Sequence, residues 1–270
     1  MRFNIFCRSM CLTIALMLGL FSAVHAQWRL DGDDRLRNFR IDEQLNASAS
    51  AQPSIAGFRT LKEKLPRRFL IYIVDLRQES HGFANDVPIS WYSERNAACA
   101  GLDTVEIERD EVARLQAIEG GRIKFMPIGK SDTQLLKPLT LNVKSVRTER
   151  EVAENVGFNY VRFTDTDMTN PDAALVDEFV RFVEQLPPNA WLHFHCHAGM
   201  GRGTLFLVLY DIIRHPEKPL EEIVARQKEL GGLDLFAENN GDDWAAQRHR
   251  ERAEMVREFY RARQNISYGG

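Results

Sequence analysis

The 270-residue sequence predicts an α/β domain. Residues 69–74 form a nearly unbroken apolar run rich in β-branched side chains, the pattern of a strand buried on both faces. Residues 191–195 form a second short strand, set between an amphipathic stretch at 172–186 and an apolar stretch at 204–213. Strands alternating with helices build a central sheet flanked by helices. Composition agrees, since 44% hydrophobic and 27% charged residues exclude collagen-like, low-complexity and disordered classes. A mean hydropathy of −0.33 excludes a polytopic membrane protein, and four cysteines are too few for a disulfide scaffold.

At the N-terminus, Arg2 and Arg8 precede an acid-free apolar run at 10–24 that ends in Val24-His25-Ala26. A basic start, a short apolar centre and small residues at a cut site predict a secretory signal over 1–26, cleaved after Ala26. The run is shorter than the roughly 20 residues a membrane span needs, although an N-terminal anchor helix is the alternative. The expected mature chain, 27–270, is periplasmic or secreted and has no membrane span. Without Arg2 and Arg8 it holds 33 basic residues against 38 acidic, a net charge of −5 that argues against a nucleic-acid-binding face. Only Cys99 and Cys196 remain in it, a pair that an oxidising compartment lets bridge.

Along that chain, the Ala- and Ser-rich residues 46–54 read as a short loop. Gly120-Gly121 separates a charged helical stretch from a strand at 122–127, and 139–146 alternates like another strand. Thr148 and Glu151 form a capping-box pattern that opens a short helix, which Gly157 ends. Over 172–186, Leu175, Val176, Phe179, Val180, Val183 and Leu186 share one helix face, and Pro187-Pro188 stops it. A further helix spans 219–230, with proline in its first turn and Gly231-Gly232 as its stop. The last runs from 243 to 263.

The chemically specific segment is residues 195–204, His-Cys-His-Ala-Gly-Met-Gly-Arg-Gly-Thr, between the buried strand and the apolar helix. Gly199, Gly201 and Gly203 permit a tight loop whose amides converge at a helix N-terminus, which makes an anion site. Cys196 lies in that positive field, which favours thiolate over thiol. Arg202, six positions on, is placed to grip two phosphate oxygens as a fork. Cys196 and Arg202 are therefore read as nucleophile and clamp, with His197, Ala198, Gly199, Met200 and Gly201 as the phosphate-binding loop. A metal site on His193, His195 and His197 is disfavoured, because the strand should break at Cys196 and separate His197 from the others. His195 is expected to buttress the loop, and His193 to be a satisfied core histidine.

The 196–202 segment resembles the phosphate-binding loop of the cysteine-dependent phosphatases. The likeness extends to Arg37-Asn38-Phe39-Arg40, to residues 74–82 (Val-Asp-Leu-Arg-Gln-Glu-Ser-His-Gly), to Ser90-Trp91-Tyr92, to 191–196, and to Arg226-Gln227 and Gly231-Gly232. Together these resemble the bacterial protein-tyrosine-phosphatase-like phytases over nearly all of 27–264. The resemblance implies a cysteine-dependent phosphatase fold with a small partial β-barrel inserted near 84–146. It also implies stepwise hydrolysis of inositol polyphosphates without a metal or other cofactor. Residues 166–171 resemble the family's acid loop, which makes Asp167 the general acid, with Asp165 and Asp172 as competitors; Asp172 also suits a helix cap.

Departures bear on substrate and rate. Gly203 stands where the family carries Thr or Ser, with Thr204 next, so slow breakdown of a phosphocysteine is expected. Asn170 stands where tryptophan is usual. At substrate-contacting positions Arg40 is kept, Asn96 replaces an aspartate, Asp132 and Ala245 replace lysines, and His249 replaces a tyrosine. Lys130 and Arg248 are nearby cations, with Lys130 assigned to the substrate. Fewer cations weaken the case for the most phosphorylated substrate and open lower inositol phosphates, phosphotyrosine or phosphoinositides. The competing classes are an inactive phosphoinositide-binding module and a sulfurtransferase; an arginine six residues on and an acid loop favour phosphate. A regulatory bridge between Cys99 and Cys196 requires Cα atoms within about 7 Å.

Overall fold

A computed structural model describes residues 25–28, 36–93, 99, 101–125 and 138–268. In chain order its strands are β1 (His25–Trp28), β2 (Arg40–Asp42), β3 (Ala47–Ala51), β4 (Leu70–Asp75), β5 (His81–Ala84), β6 (Val87–Tyr92), β7 (Arg122–Phe125), β8 (Leu139–Asn142), β9 (Val146–Arg147), β10 (Asn159–Arg162) and β11 (Ala190–Cys196). Its helices are α1 (Ile55–Lys64), α2 (Thr104–Ile118), α3 (Glu149–Val156), α4 (Ala173–Glu184), α5 (Gly201–Arg214), α6 (Leu220–Glu229) and α7 (Trp244–Tyr268).

The central sheet has the order β10-β4-β11-β3-β2, parallel except for β2. Helices cover both faces, as expected. On one side Val74, Leu192 and Phe194 pack with Phe163, Phe179 of α4 and Phe206 of α5. On the other, Ile73 and Trp191 pack with Phe58 and Leu61 of α1 and Val152 of α3. The caps match the sequence: Thr148 and Glu151 close a full capping box on α3, Gly157 ends it at φ +93°, and Asp172 accepts the Leu175 amide to cap α4. Helix α5 starts at Gly201 rather than Thr204, which puts Arg202 in its first turn.

Two expectations fail: residues 139–146, read as one strand, are divided between β8, which pairs with β7, and β9, which pairs with β5 in another sheet. Residues 47–51, read as loop, are strand β3, fully buried and parallel to β11. Its Ala-Ser alternation lacks bulky apolar residues because the strand is enclosed on both sides. Ser48 and Ser50 hydroxyls meet the two ring nitrogens of His193 at 2.9 and 3.1 Å, so His193 is the satisfied core histidine expected.

Strands β1, β6, β5 and β9 form an antiparallel sheet, and β7 pairs with β8 separately. Ala84, Ile89, Trp91, Phe125 and Val143 join Leu115 of α2 in a third apolar cluster. Among the described residues these strands form two sheets; 94–98 and 126–137, part of the expected insertion, lie outside the described residues. So do residues 1–24 of the expected signal, whereas His25 and Ala26 pair with Tyr92 and Trp91 of β6. Cleavage after Ala26 would remove half of β1.

Candidate active site

Cys196 ends β11, the middle strand, where open parallel sheets place their ligands. It is 3% exposed at the edge of the apolar cluster that holds Val74, Phe194 and Phe206, and its Sγ accepts the Gly199 amide at 3.2 Å, so the sulfur lies under the loop. Gly199 takes φ +73°, and a Cβ there would stand 2.2 Å from the Ser50 carbonyl carbon of β3. Only glycine lets the loop rest directly on that strand. Helix α5 begins at once, with Thr204 N–H making its first i→i−4 bond to Met200 O, so the amides of Gly201, Arg202 and Gly203 have no intrahelical acceptor. His197, Ala198 and Met200 complete the loop, and burial, with Arg77 next in weight, pushes His197 down to about 3.

Arg202 is buried, and its fork is aimed by three elements. Nη1 donates to Leu76 O (3.2 Å), Asp165 O (2.9 Å) and Glu79 Oε2 (2.9 Å), while Nη2 donates to Glu79 Oε1 (3.1 Å) and lies 3.3 Å from Asp167 Oδ1. Nε is buried and has no hydrogen-bond partner among the described residues. Glu79 also accepts Arg77 Nε at 2.7 Å. Burial alone would raise the Glu79 carboxyl, but Arg202 and Arg77 hold it well below the usual carboxylate range.

Asp167 is partly exposed beside the fork, and its Oδ1 accepts the Met168 amide at 3.0 Å. Asp165, two residues earlier, is 1% exposed, and neither carboxyl oxygen has a partner. Burial raises its pKa to about 7 against the opposing pull of Arg202 and Arg252. Asp172 is engaged as the α4 cap.

Arg40, expected on the substrate rim, is buried behind the loop. It donates to Gly199 O (2.8 Å), Asn38 O (3.3 Å) and Thr204 Oγ1 (3.1 Å), and so holds the loop. Thr204 also accepts the Leu233 amide at 3.0 Å. Among the described residues outside its own helix backbone and chain neighbours, the nearest atom to a Cβ placed on Gly203 is Arg40 Nη2 at 3.7 Å. Lys130, Asn96 and Asp132 lie outside the described residues. His249 meets Asp234 O at 3.2 Å, and Arg248 pairs with Glu251 at 2.7 Å. Cys99 and Cys196 are both free buried thiols, and Cys99 Sγ lies 3.3 Å from Ser80 Oγ.

Sequence reasoning gave no role to Asp75, Arg77, Glu79 and His81, whose period-two charge pattern after β4 was the available signal. His81 Nε2 lies 3.3 Å from Asp75 and 3.2 Å from Glu149, and His195 Nε2 lies 2.6 Å from Glu149 Oε1, off the hydrogen-bond axis. Tyr160 OH donates to Asp75 at 2.6 Å, Arg162 Nε is 3.3 Å from it, and Gln52 donates to Glu149 at 3.0 Å. Burial opposes a charge on His81, but the Asp75 carboxylate wins and raises it to about 9. His195 thus faces a buried ionic cluster from β11, and among the described residues neither of its ring nitrogens makes a hydrogen bond, so the expected hydrogen-bonded buttress of the loop is not seen. Asp75, Glu149 and His195 bring ligand atoms within 4.8 Å of one another, a set suited to a divalent cation. The His81 imidazolium and Arg162 already balance these carboxylates.

Comparison with known proteins bears on the family and the fold. The family model of PTP-like phytases, described as "Inositol hexakisphosphate", matches residues 125–214. A PTP-like phytase from Bdellovibrio bacteriovorus is 35% identical, with 89% of each chain covered and a TM-score of 0.76. A PTP-like myo-inositol phosphatase from Mitsuokella multacida, solved with myo-inositol-(1,3,4,5)-tetrakisphosphate, is 32% identical over 88% of this chain, with a TM-score of 0.79. Effector protein hopD2 of Pseudomonas syringae pv. tomato is 30% identical over 58% of this chain. The present chain spans 46% of the Mitsuokella chain and 35% of the effector.

Proposed function

Because this chain belongs to the protein-tyrosine-phosphatase-like phytases, we propose that it hydrolyses inositol polyphosphates through a phosphocysteine intermediate. The observation that carries this reading is the Arg202 fork. Its terminal nitrogens are fixed by Glu79 and backbone carbonyls, while the buried Nε–H, without a hydrogen-bond partner among the described residues, is left for a phosphate oxygen above Cys196. In the first step Sγ attacks phosphorus in line, the S–P bond forms and the ester P–O bond breaks. Arg202 and the loop amides stabilise the equatorial oxygens. Asp167 gives its proton to the departing alkoxide, since an unprotonated alkoxide leaves slowly. Its carboxylate then takes a proton from water, which attacks phosphorus and releases the thiolate.

Asp165 is the rival acid, because its buried carboxyl keeps a proton near neutral pH. Its enclosure argues against contact with a leaving group, whereas Asp167 is partly exposed. At the rim, Asp132 and Ala245 in place of lysines favour lower inositol phosphates over the hexakisphosphate. The reading of 1–26 as a secretory signal, and hence of a periplasmic or secreted enzyme, is part of this proposal; sequencing the exported N-terminus tests it.

The deciding experiment measures phosphate release from inositol hexakisphosphate, lower inositol phosphates, a phosphotyrosyl peptide and a lipid phosphoinositide, with Cys196→Ser as control. Turnover of the inositol phosphates by the wild type alone is expected. Binding without turnover would instead identify an inactive binding module, and preference for the peptide or lipid would change the substrate class.

A further inference from the structure

The acid loop, residues 165–170, is tied down at both ends by side chains from elsewhere in the fold. At its start Arg202 donates to Asp165 O at 2.9 Å, and Thr166 Oγ1 donates to Gln78 Oε1 at 2.8 Å. At its end Arg252, from α7, donates through Nη2 to Thr169 O at 2.7 Å and through Nε to Asn170 Oδ1 at 3.2 Å. Arg252 is 7% exposed, so this cation is held deep in the site. Its Nη1 lies against Gly201 of the phosphate loop, 3.4 Å from where a Cβ would stand. Burial lowers its pKa, while Asp165, Asp167 and Cys196 oppose that. Asp167 sits between the two tethers, next to Met168 at φ +60°, a conformation that unsupported chain seldom keeps.

We propose that Arg252 is a positioning residue which, with Asn170 as its partner, clasps the acid loop to α7 and sets Asp167 at the leaving-group oxygen. The inference rests on the phosphatase reading above and deepens it. Asn170 supplies a side-chain acceptor where the family carries a tryptophan, so a polar clasp replaces an aromatic contact in this chain. Arg252 acts on proton delivery rather than on attack by sulfur.

The distinction is measurable, because a leaving group that departs readily as an anion needs no acid. The test compares phenyl phosphate, 4-nitrophenyl phosphate and inositol hexakisphosphate as substrates of wild type, Asp167→Asn, Arg252→Met, Asn170→Ala and the double variant Asp167→Asn/Arg252→Met. Asp167→Asn is expected to lose about 10²–10⁴-fold in kcat/KM, which reports alkoxide departure and not phosphocysteine breakdown, on phenyl phosphate and far less on 4-nitrophenyl phosphate. Arg252→Met should show the same selectivity with a loss of about tenfold or more, and Asn170→Ala a weaker version. The double variant should be no slower on phenyl phosphate than Asp167→Asn alone, because a misplaced acid and a missing acid act through one step. Equal losses on both aryl esters, or losses that multiply in the double variant, would overturn the clasp and assign Arg252 to phosphate binding or stability.

Amide hydrogen exchange gives a readout that needs no turnover. Arg252→Met should speed exchange across 165–170 and leave β11 unchanged; unchanged loop exchange would also overturn the proposal. If wild type hydrolysed none of the three esters while loop exchange rose in the variant, the functional reading would fail and the clasp would stand as a structural tie alone.

Discussion

Two loops converge on the reacting centre, and they are held in different ways. The phosphate loop is set by its own backbone: it leaves the end of the central strand, rests on β3 at Gly199 and runs into α5. The acid loop is held by donors from distant segments, Arg202 at one end and Arg252 at the other. The first is a local motif that rests on β3 and is braced from behind by Asn38 and Arg40. The second is an assembly of side chains brought together only by folding. Mutations should therefore act all-or-none in the first loop and by degrees in the second.

The sharpest way to break that contrast is Gly199→Ala. Its Cβ would overlap the Ser50 backbone at a backbone angle foreign to other residues, so the loop must lift. Turnover should fall by about 10³-fold or more, since several oxyanion donors move together. Steady-state assay and the melting temperature report it; near-wild-type activity would mean that the loop does not depend on β3. Next is Asp167→Asn, expected to cost about 10²–10⁴-fold on esters with poor leaving groups. A crippling Asp165→Asn beside a mild Asp167→Asn would reverse the assignment of the acid.

Asp165→Asn tests the second loop more gently. Burial raises the Asp165 carboxyl to about 7, so the folded state binds its proton more tightly than the unfolded chain does. Between about pH 4 and pH 7 that difference lowers stability as pH rises, and the loss is complete above pH 7. Its upper bound is roughly 4 kcal/mol, because each tenfold change in proton affinity is worth about 1.4 kcal/mol. Replacement by the neutral amide should raise the melting temperature at pH 8 and change little at pH 4. An equal effect at both values would mean that the carboxyl is not neutral in the fold. The smallest effect is expected from Gly203→Ser, whose Cβ would meet Arg40 Nη2 at 3.7 Å and which supplies the hydroxyl that family members carry after the loop arginine. Rapid-quench measurement should show phosphoenzyme accumulating in wild type and decaying roughly a few-fold faster in the variant, well below the 10²–10⁴-fold that general acid–base catalysis supplies.

The same contrast explains what could be read in advance. Cys196 to Arg202 were legible because nucleophile, glycines and arginine lie within seven consecutive residues, bounded by a strand and a helix that periodicity reveals. The amphipathic face of α4 and the capping box of α3 were legible for the same reason. Strand β3 was not, since alanine and serine give no hydrophobic pattern and their burial follows from neighbours far along the chain. Arg252 and Glu79 were missed because a lone cation on a helix and a lone acid after a strand show their partners only in three dimensions. Arg40 was recognised by position, yet it acts from behind the loop, a distinction that its three bonds to the protein make and spacing does not.

Glu79, clamped between Arg77 and Arg202, keeps its negative charge far into acid. Its stabilising contribution is full at neutral pH and disappears only when the medium falls through that depressed titration. The guanidinium fork therefore stays aligned in sour surroundings where ordinary carboxylates would already have let go. The contact between Glu79 and Arg202 is thus expected to outlast ordinary carboxylate pairs as the pH falls.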